Sequence, residues 1–313
     1  VKNHLRIVFM GTPEFAVRHL EALHASSHRV VLVITQPDRP KGRGQKLTPS
    51  PVKKKALSLG YSLLQPSSLK TEAIFETLTR CEADLFVVVA FGLIVPRPLL
   101  DLPPMGAINV HASLLPRYRG PAPIQWALIN GERETGVTTM QMDPGLDTGP
   151  ILLAAKTPIY PDDNSASLHD RLAQIGAELL IKTLGEVAKD NIRPIPQDHA
   201  AATYAPRLKK EDGHINWQGS AESIARFTRA MDPWPGAFAF CGQKRLKIYK
   251  ARPVQRIVGE APGTIMQGFA DELIVATGKD ALSIEEIQEE SGKRLPIKTF
   301  LCGLKIRPGT LLS

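Results

Sequence analysis

Three cysteines, Cys81, Cys241 and Cys302, are all that the 313 residues contain. The number is odd and the spacing fits no zinc motif, so neither a disulfide framework nor a cysteine-held metal is expected. No metal site of any kind is expected. No stretch approaches the roughly 18 apolar residues of a membrane helix, and the first apolar run, residues 5–10, lacks the layout of a secretory signal. The expectation is a cytoplasmic protein without a membrane partner. Glycine is scarce where a dinucleotide would need it. The turn after the first apolar run reads Gly11-Thr12-Pro13-Glu14, without the second and third glycines of a pyrophosphate loop and with an acid where phosphate should sit. A nicotinamide or flavin cofactor is therefore disfavoured. Gly42-Arg43-Gly44-Gln45-Lys46 has neither the spacing nor the Ser/Thr of a Walker loop. With Pro37 and Pro40 nearby, it reads as a charged, mobile loop of little regular structure.

What is present describes an ordinary globular chain, 43% hydrophobic and 22% charged. Its length predicts two domains. Short β-rich apolar runs at 6–10, 29–35, 84–91, 107–111 and 137–142 read as buried strands, with helical spacing at 13–25, 68–80, 121–130 and 167–189 between or after them. Alternation of this kind predicts a parallel, helix-covered α/β sheet in residues 1–189. Pro194, Pro196 and Pro206 mark 190–210 as an extended linker. In 211–313 one helix, 220–231, precedes closely spaced short strands at 237–240, 246–250, 263–266, 272–276 and 281–284, the pattern of a small β-barrel.

The net charge of +8 is unevenly spread. Bases outnumber acids in 1–50 and in 201–250, while acids lead in 101–200. Arg39, Lys41, Arg43, Lys46, Lys53, Lys54 and Lys55 meet no acid within their own stretch. Such a cluster suits a phosphate backbone, and equally a solvated surface.

Chemistry concentrates in 106–150. Residues two apart in a strand share a face, so Asn109 and His111 point the same way near the carboxyl end of a strand, where open α/β sheets bind ligands. The loop Asp143-Pro144-Gly145-Leu146-Asp147-Thr148-Gly149 could aim Asp147 at the same crevice. Amide, imidazole and carboxylate form a minimal set for acyl transfer to an amine. Spacing leaves the alternative open that His111 is structural and Asp147 makes a turn.

Asn109-Val110-His111-Ala112-Ser113-Leu114-Leu115-Pro116, then Arg117-Tyr118-Arg119-Gly120, then the 143–149 loop together resemble the signature of the folate-dependent formyltransferases. Three more segments resemble its tRNA-acting branch: Phe9-Met10-Gly11-Thr12-Pro13-Glu14-Phe15, Gln36-Pro37-Asp38-Arg39-Pro40-Lys41-Gly42-Arg43-Gly44 and Asp232-Pro233-Trp234-Pro235-Gly236. The resemblance implies a Rossmann-like, mostly parallel sheet domain followed by a smaller domain like an oligonucleotide-binding barrel. It implies Asn109, His111 and Asp147 as catalytic residues and 10-formyltetrahydrofolate as formyl donor. Phe91, Gly92, Leu93, Ile94, Ser113, Leu114, Leu115 and Pro116 would form the folate site, and initiator methionyl-tRNA would be the acceptor. Arg39, Lys41, Arg43 and Lys46 would meet the acceptor end of the tRNA, and Lys209, Lys210 and Lys247 its body. A monomer is expected. A sugar-nucleotide formyltransferase and a catalytically dead RNA-binding module are the competing readings.

Overall fold

The structure, a computed structural model, describes residues 4–41, 44–269, 271–303 and 306–313. The chain divides into two compact units. One comprises Val1–Pro123, Glu134–Pro158 and His169–Ala205, the other Ile124–Arg133, Ile159–Leu168 and Pro206–Ser313.

In the first unit, β1 (Arg6–Gly11), α1 (Glu14–Ala25) and β2 (Arg29–Ile34) lead to a hairpin of β3 (Arg39–Lys41) and β4 (Lys46–Thr48). Then come α2 (Pro51–Ser58), β5 (Leu63–Leu64), α3 (Glu72–Arg80), β6 (Leu85–Val89), α4 (Arg97–Leu100) and β7 (Ala107–His111). After α5 (Pro123–Ile129) the chain returns as β8 (Glu134–Gln141), β9 (Ile151–Pro158) and most of α6 (Ser165–Ala188). β6 reads Leu-Phe-Val-Val-Val and is buried throughout, the near-continuous apolar run of a strand covered on both faces. α2 starts where it does because Ser50 Oγ accepts from the Lys53 amide at 3.0 Å and Pro51 stands in the first turn.

The seven-stranded sheet has the order β5-β2-β1-β6-β7-β8-β9, parallel from β5 to β7. Strand order reverses between β1 and β6, which opens a crevice at their carboxyl ends. Two expectations need correction. β8 was expected in a parallel sheet, but it is antiparallel to β7, with His111 opposite Thr138 and Ile108 opposite Gln141. Residues 124–133 belong to the second unit, so the short helix before β8 is no crossover across the sheet. Within the stretch expected to be irregular, Arg39–Lys41 and Lys46–Thr48 pair as an antiparallel ribbon, Arg39 with Thr48 and Lys41 with Lys46. Here glycine and proline mark a turn: Gln45 has φ +46°, and a two-stranded ribbon tolerates Pro40 because its edges are open. Gly42 and Arg43 lie outside the described residues.

In the second unit, α7 (Ala221–Met231) is followed by β10 (Ala237–Cys241), β11 (Lys244–Val254), β12 (Ile265–Met266), β13 (Leu273–Ala276), β14 (Ala281–Glu289), β15 (Leu295–Pro296) and α8 (Ile297–Gly303). Ser220 caps α7, accepting from the Ser223 amide at 3.2 Å. The antiparallel sheet runs β10-β11-β14-β13-β12. Its two edges are joined by the last residues: Ser313 exchanges backbone hydrogen bonds with Phe240, and Leu312 donates to Gly263 O at 2.8 Å. Joining the edges turns the sheet into an oligonucleotide-binding-like barrel and removes the exposed edge.

Candidate active site

Backbone groups around the β1/β6 crevice are tied across it. Thr12 Oγ1 and Gln36 Nε2 both donate to Phe91 O, at 2.8 and 2.9 Å. Phe91 is buried, Leu93 packs against the same apolar cluster, and Gly92 turns the chain at φ +81°. Ile94 alone among these side chains faces out, at 85% exposure.

Asn109 lies on β7 beside β6. Its Nδ2 donates to Val88 O at 3.2 Å, while its Oδ1 is buried with no hydrogen-bond partner among the described residues. An unpaired buried acceptor is costly. One N–H of the same amide is also uncommitted. Asn109 therefore offers a donor and an acceptor to whatever occupies the crevice.

His111, two residues on, is buried, and its Nε2 lies 2.9 Å from Tyr118 O. A carbonyl can only accept, so this nitrogen carries a proton. Nδ1 faces Asp147 Oδ2 at 3.7 Å, too far for a direct hydrogen bond. Asp147 arrives from an unexpected direction. Because β8 is antiparallel, the loop leaves the sheet beside Ile108 and must fold back toward His111. Asp143 makes that turn: its Oδ1 accepts from the Gly145 amide and from Thr148 Oγ1, at 3.0 and 2.6 Å. Gly149 lets the loop rest against Gln141 O, where a side chain would collide. Asp147 itself sits at φ +53°, a left-handed conformation uncommon outside glycine, and Oδ2 accepts from the Gly120 amide at 2.7 Å. Asn109, His111 and Asp147 thus belong to one site in the first unit.

Ser113, Leu114, Leu115 and Pro116 form the turn after His111. Ser113 Oγ donates to Arg117 O at 2.6 Å, and Thr138 Oγ1 donates to Ser113 O at 2.7 Å and accepts from the Leu115 amide at 3.2 Å. Leu114 lies against Gly136, and Pro116 O accepts from the Thr203 amide at 3.4 Å.

The basic residues separate by surroundings. Arg39 and Lys46 are exposed on the hairpin and have no ion-pair partner among the described residues. Lys41 is placed on β3 by its backbone only. On α2, Lys53 pairs with Asp38 at 2.7 Å and Lys55 with Glu21 at 2.6 Å. Lys53, and after it the Gln65 amide, holds the Asp38 carboxyl below its ordinary range. In the second unit Lys209 and Lys210 are exposed, and Lys247 lies over Gly236 opposite Phe238. Arg245 lies over the ring of Phe238 at 3.7 Å, and His214 stacks on the same buried ring with centroids 5.2 Å apart.

Sequence reasoning gave no role to Tyr118, Arg119, Gly120 or Gln197. The run 117–120 stood inside the recognised signature, which was a signal. Gln197 had none, since nothing in its neighbours predicts burial.

The sequence profile of the family described as formyl transferase matches residues 5–184, and that of its C-terminal domain matches 207–305. The chain belongs to the formyl transferase family. It is 49% identical to Methionyl-tRNA formyltransferase of Desulfotalea psychrophila, covering all of this chain (100%) and 97% of that one. With Methionyl-tRNA formyltransferase of Citrifermentans bemidjiense it shares 52% identity over 99% of this chain and 96% of that one. In fold it is similar to HypX from Aquifex aeolicus in complex with tetrahydrofolic acid, at TM-score 0.65 and 18% identity, over 96% of this chain and 47% of that one. Among the described residues no group of His, Cys, Asp or Glu could hold a metal ion, and no helix is long and apolar enough to cross a membrane.

Proposed function

We propose that this protein transfers the formyl group of 10-formyltetrahydrofolate to the α-amino group of initiator methionyl-tRNA, with Asn109, His111 and Asp147 carrying the chemistry. The observation that carries the reading is the buried, unpartnered Asn109 Oδ1 beside a histidine whose second nitrogen faces a carboxylate. Full-length similarity to methionyl-tRNA formyltransferases supports the acceptor.

A folate fits the crevice by the same test: Asn109 leaves an acceptor and a donor open, and the exposed side chains of Ile94 and Leu146 offer apolar surface on the two flanking loops. Phe91, Gly92, Leu93 and Ile94 would hold it from the β6 side, with the 113–116 turn forming part of the wall. Bound, it supplies an activated formyl carbon. Asn109 Oδ1 orients the attacking amine by accepting one of its protons, while the free N–H of Nδ2 meets the negative charge that builds on the formyl oxygen. His111 keeps Nε2 on Tyr118 O and presents Nδ1 to the reacting groups, with Asp147 Oδ2 3.7 Å from that nitrogen. Asp147 and that nitrogen carry away the proton the amine loses as its bond to the formyl carbon forms, and the donor nitrogen of the folate gains a proton as its own bond to that carbon breaks, releasing tetrahydrofolate.

The acceptor end of the tRNA meets the basic segment 39–46 through Arg39, Lys41, Arg43 and Lys46, and its body meets Lys209, Lys210 and Lys247. Catalysis is assigned to residues 1–189, connection to 190–210 and tRNA binding to 211–313. The protein acts as a cytoplasmic monomer. Formyl transfer to initiator methionyl-tRNA, assayed with 10-formyltetrahydrofolate, tests the reading; absence of transfer refutes it.

A further inference from the structure

Arg119 is the largest fully buried side chain among the described residues, at 2% exposure. No carboxylate pairs with it among the described residues. A guanidinium out of water without an acid is costly and calls for a physical reason. Its Nε and Nη2 both donate to Gln197 Oε1, at 3.1 and 2.7 Å, and Nη2 also lies 3.2 Å from His199 Nδ1. Gln197 is buried too. Its Nε2 donates to Asp147 O at 2.9 Å and to Gly149 O at 2.7 Å. The amide can sit only this way round, because turning it over would set N–H against the guanidinium and oxygen against two carbonyls.

Each residue of the segment 118–120 is therefore tied to the catalytic pair, two directly and Arg119 through Gln197. Tyr118 O receives His111 Nε2, the Gly120 amide holds the Asp147 carboxylate, and Arg119 reaches the Asp147 backbone through Gln197. The chain around Gln197 is anchored at both ends. Ile195 pairs with Ile151, and Ala205 donates to Arg119 O at 2.7 Å. Gly120, at φ +114°, permits that approach, since a Cβ there would lie 2.8 Å from Ala205 O. Asp147 occupies a backbone conformation that a free loop would leave. The two hydrogen bonds from Gln197 grip the carbonyls at 147 and 149 and oppose that relaxation.

We propose that Arg119 and Gln197 are a positioning pair: they fix the backbone of Asp147 and so set the carboxylate against His111. The charge on Arg119 polarises the Gln197 amide and strengthens its two outgoing hydrogen bonds. This rests on the reading of Asn109, His111 and Asp147 as the transfer site.

The test is single-turnover transfer from 10-formyltetrahydrofolate to methionyl-tRNA, with the wild type alongside. Gln197→Glu keeps an acceptor for Arg119 but faces Asp147 O and Gly149 O with oxygen. Its rate is expected to fall about 10- to 100-fold, while the binding of 5-formyltetrahydrofolate and the KM for tRNA stay within about 2-fold. In an Asp147→Asn background the same change should lower the rate less than about 2-fold further, because the two residues act in one unit. A full loss in both backgrounds, or no loss in the wild-type background, overturns the proposal. If Gln197→Glu does not fold, Arg119→Lys replaces it; that variant keeps the charge but loses the planar two-pronged grip on Gln197 Oε1, and should show a smaller loss with the same split between kcat and KM. A wild-type rate in folded Arg119→Lys and folded Gln197→Met overturns the pair. No transfer by the wild type overturns the transfer reading itself, and this proposal with it.

Discussion

His19 and His111 are both buried, and their surroundings make them opposites. His19, in α1, sits in an apolar interior with Nδ1 on Phe15 O at 2.9 Å and Nε2 without a partner among the described residues. Desolvation pushes its pKa down to about 4, so it stays neutral at ordinary pH. His111 is nearly as buried, but both its nitrogens face acceptors and one of these is a carboxylate. Burial alone produces an inert packing residue. What sets His111 apart is the carboxylate of Asp147, 3.7 Å from its second nitrogen.

Substitution breaks this comparison most sharply. His111→Ala or Asn109→Ala should lower kcat by about 10²- to 10³-fold, whereas His19→Leu should leave kcat of the folded enzyme unchanged; steady-state transfer kinetics decide between them. The second difference is in stability. His19 binds its proton less readily folded, at about 4, than unfolded, at 6.5, so the unfolded chain takes up the extra proton as pH falls. Its contribution is complete above pH 6.5 and is lost progressively toward pH 4, amounting to roughly 3 kcal/mol across that window. Denaturant midpoints of His19→Leu should therefore depend less on pH between 6.5 and 4 than those of the wild type.

A third, smaller effect extends the contrast to the basic hairpin, where the charges are exposed rather than enclosed. Arg39→Glu and Lys46→Glu should each weaken kcat/KM for methionyl-tRNA about 10-fold and flatten its salt dependence by about one unit of slope. Binding of the folate should not change. Lys53→Gln on the neighbouring helix should alter tRNA kinetics less than about 2-fold, since Asp38 already neutralises that lysine. A large loss at Lys53 would mean that the hairpin and helix act as one surface.

The same contrast marks what the sequence could reveal. Apolar runs such as Leu85 to Val89 announce buried strands because they are short and rich in β-branched and aromatic residues. Asn109 and His111 were legible as neighbours because strand geometry fixes residues two apart. β9 was missed: its burial pattern alternates weakly and it closes the sheet edge, where burial pressure is least. The direction of β8 depends on a detour of the chain through the second unit, which periodicity does not record. Gln197 was invisible for a related reason. Its place against Asp147 follows from long-range pairing of 195 with 151 and of 203–205 with 116–122, and no local pattern encodes those contacts.

The most direct measurement is formyl transfer from 10-formyltetrahydrofolate to initiator and elongator methionyl-tRNA, run with the wild type and with Asn109→Ala. The account predicts transfer to the initiator by the wild type, a weaker reaction with the elongator, and near loss of both in the variant at unchanged folate binding. Wild-type rates in folded Asn109→Ala, or no transfer to either tRNA by the wild type, would contradict it.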